Sequence, residues 1–209
     1  MKQILAFGDS NTWGLIPGSS TYERYGWGTR WTSVLQEKFP EAEVIENGLC
    51  GRTTVFDDEH REGRKGINSL FGIVKNGSEF DAVIFMLGTN DCKTFYNNSP
   101  YAIGEGIEAC LDVIEKNVDP QKIILVSPMH LGDDVWHPDK DPDFSKDSVR
   151  VSKGLKDVYS NIARKRGNHF LAASDFVHPS EIDNEHMDEE GHRIFADVVY
   201  NKLQEIAAV

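Results

Sequence analysis

The sequence predicts an α/β fold in which helices cover both faces of one parallel sheet. Short apolar runs alternate with helix-like segments along the whole chain, and this order produces parallel strands joined by helical crossovers. The apolar runs are continuously hydrophobic, as expected for strands that are buried on both faces. Three of them end in glycine and small polar residues, at the edge where open α/β sheets bind their ligands.

Length and composition are those of an ordinary globular protein. The chain has 209 residues, of which 39% are hydrophobic and 27% charged, so we expect one domain over residues 1–209. Its formal net charge of −12 repels phosphate backbones and anionic lipid surfaces. We therefore expect neither nucleic acid nor membrane as a partner, whereas a homo-oligomer remains possible.

The amino-terminal run and the cysteines indicate a cytoplasmic protein. The run holds only about six apolar residues before Gly8, without the longer core and cleavage site of a secretion signal, so we interpret it as a strand. The three cysteines, Cys50, Cys92 and Cys110, are an odd number at unrelated spacings and match neither a disulfide framework nor a zinc site. We expect no metal and no cofactor.

In the first half of the chain, each predicted element ends at a recognisable signal. The first strand breaks at Gly8, where glycine permits a tight turn. A loop over residues 15–28 leads to a helix that Thr29 would cap and Pro40 would stop. The remaining elements of this half are a second strand opening at 44–45, a helix over 67–74 and a third strand over 80–87.

The second half continues the alternation. Apolar residues three and four positions apart mark amphipathic helices, and two more apolar runs follow. These elements are a helix through 103–114, a strand over 122–126, a helix over 145–166, a strand over 170–173 and a last helix through 194–206.

An acidic segment over residues 131–143 interrupts this pattern. A run of this length without structure is usually a functional lid or a flexible insertion. Two histidines and five aspartates could coordinate a cation, but their spacing is not that of a calcium loop, and a solvated acidic insertion is the commoner explanation. These residues are His130, His137, Asp133, Asp134, Asp139, Asp141 and Asp143.

Ser10 directly follows the first strand, at the predicted ligand-binding edge. It could be a nucleophile, or Asp9 to Thr12 could simply be cap residues after a βα turn. The run has neither the G-x-S-x-G spacing of a nucleophile elbow nor a glycine-rich phosphate loop. A nucleophilic role therefore requires a base and a carboxylate from elsewhere in the chain.

Two Asp-x-x-His pairs could supply them, namely Asp175 with His178 and Asp183 with His186. A serine becomes nucleophilic when a histidine takes its proton and a carboxylate orients that histidine. We favour the second pair, because Asp188 could cap the helix that follows it. The first pair lies directly at the end of the fifth strand, where Asp175 could equally be a strand-end cap.

Four motifs occur in the order that is found in SGNH, or GDSL-type, hydrolases. They are Gly8-Asp9-Ser10-Asn11-Thr12, Asn47-Gly48-Leu49-Cys50-Gly51-Arg52-Thr53, Gly88-Thr89-Asn90-Asp91 and Asp183-x-x-His186. They span nearly the whole chain, so the sequence resembles that family, and residues 9–14, 30–31 and 51–54 look most like its arylesterase and acyltransferase branch. The resemblance implies a flavodoxin-like, five-stranded parallel sheet in three α/β/α layers.

The resemblance also implies roles for the site residues. Ser10 would be the nucleophile, His186 the general base and Asp183 its orienting carboxylate. The backbone N–H groups of Ser10 and Gly51 and the side-chain amide of Asn90 would form an oxyanion hole. The substrate would be a small-molecule ester, hydrolysed through an acyl-enzyme on Ser10, and an alcohol could compete with water in a dry pocket.

The sequence departs from the family name at Asn11, where leucine is expected. This position takes no part in proton transfer, although it could alter how the Ser10 turn is held. Trp13, Cys50 and Arg52 are candidate residues of the substrate pocket. Buried or interface tryptophans are at least as common. Cys50 could be a reactive thiol beside the oxyanion glycine, but a small buried residue is the preferred interpretation.

Two other functions remain open. One is a carbohydrate O-deacetylase that uses the same triad. The other, from a different class, is a binding protein that keeps the fold without turnover.

Overall fold

The computed structural model describes residues 2–75 and 80–207, and its centre is a sheet of five parallel strands. The strands are β1 (Lys2–Gly8), β2 (Ala42–Gly48), β3 (Ala82–Met86), β4 (Ile123–Ser127) and β5 (His169–Ala172). Their order across the sheet is β2-β1-β3-β4-β5, which is the order of flavodoxin-like folds. The predicted five-stranded α/β fold is therefore confirmed.

Six α-helices occur within the described residues. They are α1 (Ser10–Trp13), α2 (Trp31–Lys38), α3 (Gly66–Lys75), α4 (Pro100–Ile114), α5 (Lys146–Arg166) and α6 (Glu189–Ala207). Short 3₁₀ turns lie at 90–92, 94–96, 120–122 and 173–175. In this part of the chain, none of the helices combines the length and the apolarity that crossing a bilayer requires.

Alternate side chains of the strands enter two separate hydrophobic cores. In β1, Leu5 and Phe7 pack into the core beneath α3, α4 and α5, whereas Ile4 and Ala6 pack into the core beneath α2 and α6. This division follows from the two-residue period of a strand. It gives the three layers that the resemblance implied.

The start of α2 differs from the prediction. Its N-cap residue is Arg30, which makes no side-chain cap hydrogen bond, rather than Thr29. The guanidinium of Arg30 instead forms two hydrogen bonds of 2.7 Å with Glu46 of β2. This ion pair ties the helix start to the sheet, and the helix therefore begins one residue later than a local cap pattern indicates.

The ends of β1 and β2 lie against α1 with no space for a side chain. A Cβ atom on Gly48 would lie 2.2 Å from the backbone nitrogen of Trp13, and one on Gly8 would lie 2.8 Å from Cβ of Thr12. Both distances are far below van der Waals contact. The glycines thus let the turn that carries Ser10 sit directly on the carboxyl edge of the sheet.

Candidate active site

Ser10 occupies the first position of α1, two residues after Gly8 ends the inner strand β1. Asp9 caps this short helix, because its Oδ1 accepts the N–H of Asn11 at 3.0 Å. Gly14 ends the helix in the left-handed conformation, with φ of 87°. Asp9 thus holds the turn, and burial raises the pKa of its carboxyl group to about 6.

His186 lies within hydrogen-bond distance of both Ser10 and Asp183. Its Nε2 is 2.9 Å from Ser10 Oγ, and its Nδ1 is 2.8 Å from Asp183 Oδ2. Asp183 Oδ1 also accepts the N–H groups of Glu185 and His186, each at 3.0 Å, and Oδ2 accepts the N–H of Gly18 at 2.9 Å. The structure therefore brings Ser10, His186 and Asp183 into one hydrogen-bonded chain.

The alternative pair, Asp175 and His178, does not contact Ser10. His178 is exposed to solvent, and Asp175 pairs with Lys156, whose Nζ lies 2.5 Å from Asp175 Oδ1. Asp188 caps α6 as expected, since its Oδ1 accepts the N–H of Gly191 at 2.8 Å. Of the two pairs, only Asp183 and His186 reach Ser10.

Carboxylates dominate the electrostatics around His186. Burial lowers the pKa of its imidazole, but the negative charges of Glu185, Asp183 and Asp9 outweigh burial and raise that pKa to about 9. Burial raises the pKa of Asp183, while the hydrogen bond and charge of His186 lower it, and the balance lies below the usual range. The neutral imidazole, which a general base requires, is consequently favoured in alkaline solution.

Asn11 links the Ser10 turn to the loop that carries His186. Its Nδ2 donates to the carbonyl oxygen of Glu185 at 3.3 Å, and its Oδ1 accepts the N–H of Met187 at 2.9 Å. From the sequence, we predicted for Asn11 only an effect on how the Ser10 turn is held. Its partners lie 174 and 176 residues away, so no local pattern points to this role.

A cavity of about 660 Å³ opens onto Ser10 and His186. Gly51, which follows β2, and Asn90, which follows β3, line the same cavity. Gly51 has a φ of 79°, a conformation that favours glycine. The Asn90 side chain is held by a hydrogen bond of 3.2 Å from its Nδ2 to the carbonyl oxygen of Arg52. The three candidate oxyanion residues thus border one space.

Of the three candidate pocket residues, Cys50 lines this cavity, whereas Trp13 and Arg52 do not. Burial raises the pKa of the Cys50 thiol to about 11, so the thiol stays protonated at neutral pH. The indole of Trp13 instead packs beneath Arg24, whose guanidinium carbon lies 5.4 Å from the ring centroid.

Arg52 cross-links the ends of the two strands next to Ser10. Its Nη1 donates to the carbonyl oxygens of Gly8 at 2.8 Å and Asn47 at 2.5 Å, and Nη2 donates to Asn47 Oδ1 at 2.9 Å. The guanidinium also lies 4.1 Å above the ring of Phe7. These contacts hold the Arg52 side chain inside the protein. Arg52 therefore stabilises the strand ends next to Ser10 and does not face the cavity.

The acidic segment forms one wall of the cavity. Lys93 forms ion pairs with Asp141 and Asp143 of this segment, and its Nζ lies 3.2 and 3.0 Å from their Oδ2 atoms. At its other end, the N–H of Gly132 donates to the carbonyl oxygen of Asn184 at 2.8 Å. The segment is thus bound both to the loop of His186 and to the exit of β3.

Within residues 2–75 and 80–207, no group of three or more histidine, cysteine, aspartate or glutamate side chains is arranged to hold a metal ion. The histidines and aspartates of the acidic segment lie within these ranges.

Comparison with known proteins identifies the family. Residues 6–194 match the GDSL-like lipase/acylhydrolase family. A solved aryl esterase from M. smegmatis has 29% sequence identity and a TM-score of 0.90, over 99% of this chain and 100% of that one. A carbohydrate acetylesterase from Sinorhizobium meliloti has 29% identity and a TM-score of 0.88, with the same coverage. No curated protein matches the chain in sequence. The chain belongs to the GDSL-like lipase/acylhydrolase family and is an ester-hydrolysing serine hydrolase.

Proposed function

We propose that this enzyme hydrolyses carboxylic esters of small acyl groups through an acyl-enzyme on Ser10. The observation that carries the proposal is the hydrogen-bonded chain from Ser10 Oγ through His186 to Asp183. Ser10 and His186 border the cavity, where an ester carbonyl can approach the serine. The arrangement has the three roles that nucleophilic acyl transfer requires.

In the first half-reaction, His186 Nε2 takes the proton of Ser10 as Oγ attacks the carbonyl carbon. Asp183 orients the imidazole and stabilises its positive charge. The N–H groups of Ser10 and Gly51 and the amide of Asn90 stabilise the oxyanion, with about 3 to 4 kcal/mol from each donor. His186 then gives its proton to the departing alcohol, and water releases the acyl group in a second half-reaction.

The cavity wall supports an aryl ester as the first candidate substrate class. Leu15, Tyr22 and Ile182 contribute apolar surface to the cavity, and Tyr22 and Ile182 are 55% and 65% exposed. An aromatic alcohol can pack against this surface while the ester carbonyl reaches Ser10. The M. smegmatis structure at 29% identity is that of an aryl esterase.

A carbohydrate O-deacetylase is the second candidate, and the polar part of the wall favours it. Arg61, Lys93 and Glu185 line the same cavity, and charged side chains suit an alcohol that carries further hydroxyl groups. The S. meliloti structure is that of a carbohydrate acetylesterase. The two candidates share the acyl-enzyme and differ only in the alcohol.

Hydrolysis rates on a substrate panel test the proposal. Phenyl acetate, phenyl butyrate, phenyl octanoate and acetylated glucose would be compared, with Ser10→Ala as the control. We expect a rapid burst of phenol before steady turnover, faster cleavage of acetate than octanoate, and no turnover by Ser10→Ala. Acetylated glucose as the fastest substrate would select the deacetylase, and absence of turnover on the whole panel would reject carboxylic esters of small acyl groups as the substrate class.

A further inference from the structure

Glu185 places a carboxylate beside the nitrogen that faces Ser10. Its Oε1 lies 3.8 Å from His186 Nε2, and the same nitrogen lies 2.9 Å from Ser10 Oγ. The residue lines the cavity although only 6% of its surface is exposed. Within the described part of the chain, no hydrogen bond reaches this carboxylate, and its one ion-pair contact is the 3.8 Å approach to His186.

The backbone of Glu185 is fixed on both sides. Its N–H donates to Asp183 Oδ1 at 3.0 Å, and its carbonyl oxygen accepts from Asn11 Nδ2 at 3.3 Å. Because the two backbone polar groups are bound to residues at the site, Glu185 holds its place relative to Ser10 and His186. The backbone therefore fixes the point from which the Glu185 side chain extends along the cavity wall.

Keeping a carboxylate in this place is costly for the protein. A buried charged group without hydrogen bonds loses the stabilisation that water gives it. Burial accordingly raises the pKa of Glu185, and the positive charges of His186 and Lys93 only partly oppose this. Two other charged groups of the wall are already paired: Lys93 with Asp141 and Asp143, and Arg61 with Asp58 at 2.9 Å. A largely buried carboxylate without a hydrogen bond in the described part of the chain calls for an explanation, and a catalytic role is one of the common ones.

We propose that Glu185 accepts a hydrogen bond from the water that hydrolyses the acyl-enzyme, and that it thereby favours water over alcohols as the acyl acceptor. This inference rests on the acyl-enzyme proposed above. Nε2 and Oε1 are close enough for one water oxygen to lie within hydrogen-bond distance of both, about 2.6 to 3.2 Å from each. Water can donate one hydrogen to His186 and the other to Glu185.

An alcohol cannot satisfy both acceptors in the same way. Its single O–H must point to Nε2, because that proton has to leave as the new ester bond forms. Its carbon substituent then faces Glu185 and removes the remaining solvent from the carboxylate, which costs free energy. The geometry consequently discriminates between water and an alcohol as the acyl acceptor. This choice is made after acylation and does not depend on which ester supplied the acyl group.

The hydrolytic step balances without any further reactant. His186 Nε2 takes one proton from the water as its oxygen attacks the acyl carbon, while Glu185 retains the hydrogen bond to the second hydrogen. The tetrahedral intermediate then collapses, the bond between the acyl carbon and Ser10 Oγ breaks, and Oγ receives the proton from His186. The products are the free acid and the original serine.

The partition of the acyl-enzyme between water and an added alcohol tests the proposal. Phenyl acetate would be supplied with benzyl alcohol at pH 9.5, which is above the His186 pKa of about 9. The ratio of benzyl acetate to acetate measures the choice of acceptor and does not depend on the rate of acylation. We expect Glu185→Leu to raise this ratio by about tenfold, the scale of one lost hydrogen bond to a charged group.

Two further variants make the experiment decisive. Glu185→Gln keeps the size and a weaker acceptor, so we expect a smaller rise in the ratio. Asp139→Leu removes an exposed carboxylate from the same cavity wall and controls for a less polar cavity, so its ratio should equal that of the wild type. An unchanged ratio in both Glu185 variants, or an equal rise in Asp139→Leu, would overturn the proposal.

The phenol burst separates this proposal from the proposed function. A burst in the wild type with an unchanged ratio in the variants rejects the role of Glu185 alone. Turnover of phenyl acetate that yields no benzyl acetate, together with the absence of a burst and of any acetyl adduct on Ser10, rejects the acyl-enzyme itself. If Glu185→Leu does not fold, the ratio measured for Glu185→Gln decides the question.

Discussion

The proposed nucleophile and its proposed base are held in contrasting ways. Ser10 follows a strand that pairs along its length with a neighbour on each side, and a capped helical turn begins at the serine itself. His186 lies between residues 176 and 188, a stretch without a helix or a strand. Side-chain hydrogen bonds to Asn11 and Asp183 hold that stretch in place.

The position of His186 is consequently easier to disturb by mutation than that of Ser10. Sheet hydrogen bonds are numerous and support one another, so removing one side chain changes the position of a strand end very little. The loop of His186 has backbone hydrogen bonds at Ser180 and Asn184, but its side-chain bonds to Asn11 can be removed by a single substitution. We therefore expect changes in the loop supports to reduce activity more than changes beneath Ser10, apart from the reacting groups themselves.

The largest effects should come from those reacting groups. We expect Ser10→Ala and His186→Ala each to lower kcat on phenyl acetate by at least about 10⁴-fold, as for other serine triads. His178→Ala removes an exposed imidazole outside the site and should keep most of the activity. If His178→Ala were the inactive variant, the assignment of the base would be wrong.

Asn11→Leu should remove the hydrogen bonds that join the Ser10 turn to the loop of His186. It removes two hydrogen bonds and leaves the buried N–H of Met187 without its acceptor, which costs about 1 to 3 kcal/mol of stability. A small displacement of His186 then lowers kcat by about 10²-fold. Stopped-flow kinetics and urea unfolding would measure the two effects.

Asn168→Leu provides the matched control for Asn11. Its amide also makes two hydrogen bonds, to Glu115 and Pro120, but it lies next to the amino end of β5, away from the site. We expect a similar loss of stability with little change in kcat. Equal kcat losses in the two variants would show that Asn11 acts on stability alone.

The pH profile probes the charges of the loop. Catalysis needs the neutral imidazole, and the carboxylates around His186 raise its pKa to about 9. Hence kcat/KM should rise with pH and level off above about pH 9. Glu185→Gln removes one of those negative charges and should move the rising limb to lower pH. A wild-type limb that lies wholly below pH 7, or a limb unmoved in Glu185→Gln, would contradict these electrostatics.

Arg52→Met should have the smallest effect on the chemistry, because it acts beneath the nucleophile. Burial lowers the pKa of the Arg52 guanidinium to about 10, and the side chain bonds only to groups at the strand ends. We expect the free energy of unfolding to fall by about 1.5 to 3 kcal/mol, with kcat within about threefold of the wild type. A collapse of kcat without a change in unfolding would instead assign Arg52 to the reaction.

The sequence predicted the elements because their signals are local. The apolar runs and the glycine at position 8 report on neighbouring residues, and the five strands occur where these signals place them. The predicted N-cap of α2 was wrong, because Arg30 at the helix start forms hydrogen bonds with Glu46 on strand β2. Periodicity contains no information about such a partner.

The supports of the site escaped prediction for the same reason. Asn11 and Lys93 act through partners 48 to 176 residues away along the chain. Arg52 bonds to the nearby Asn47 and also to Gly8, which lies 44 residues away. The choice of Asp183 and His186 drew on the order of four motifs. The hydrogen-bond reach of His186 to Ser10 became visible only in three dimensions.

Labelling with a fluorophosphonate reports whether Ser10 is the nucleophile. The folded enzyme would be treated with the probe, digested and analysed by mass spectrometry, beside Ser10→Ala and urea-unfolded protein. We expect one adduct, on the peptide that contains Ser10, and none in the two controls. An unlabelled Ser10 in the folded enzyme, or an adduct that persists in Ser10→Ala, would show that Ser10 is not the nucleophile.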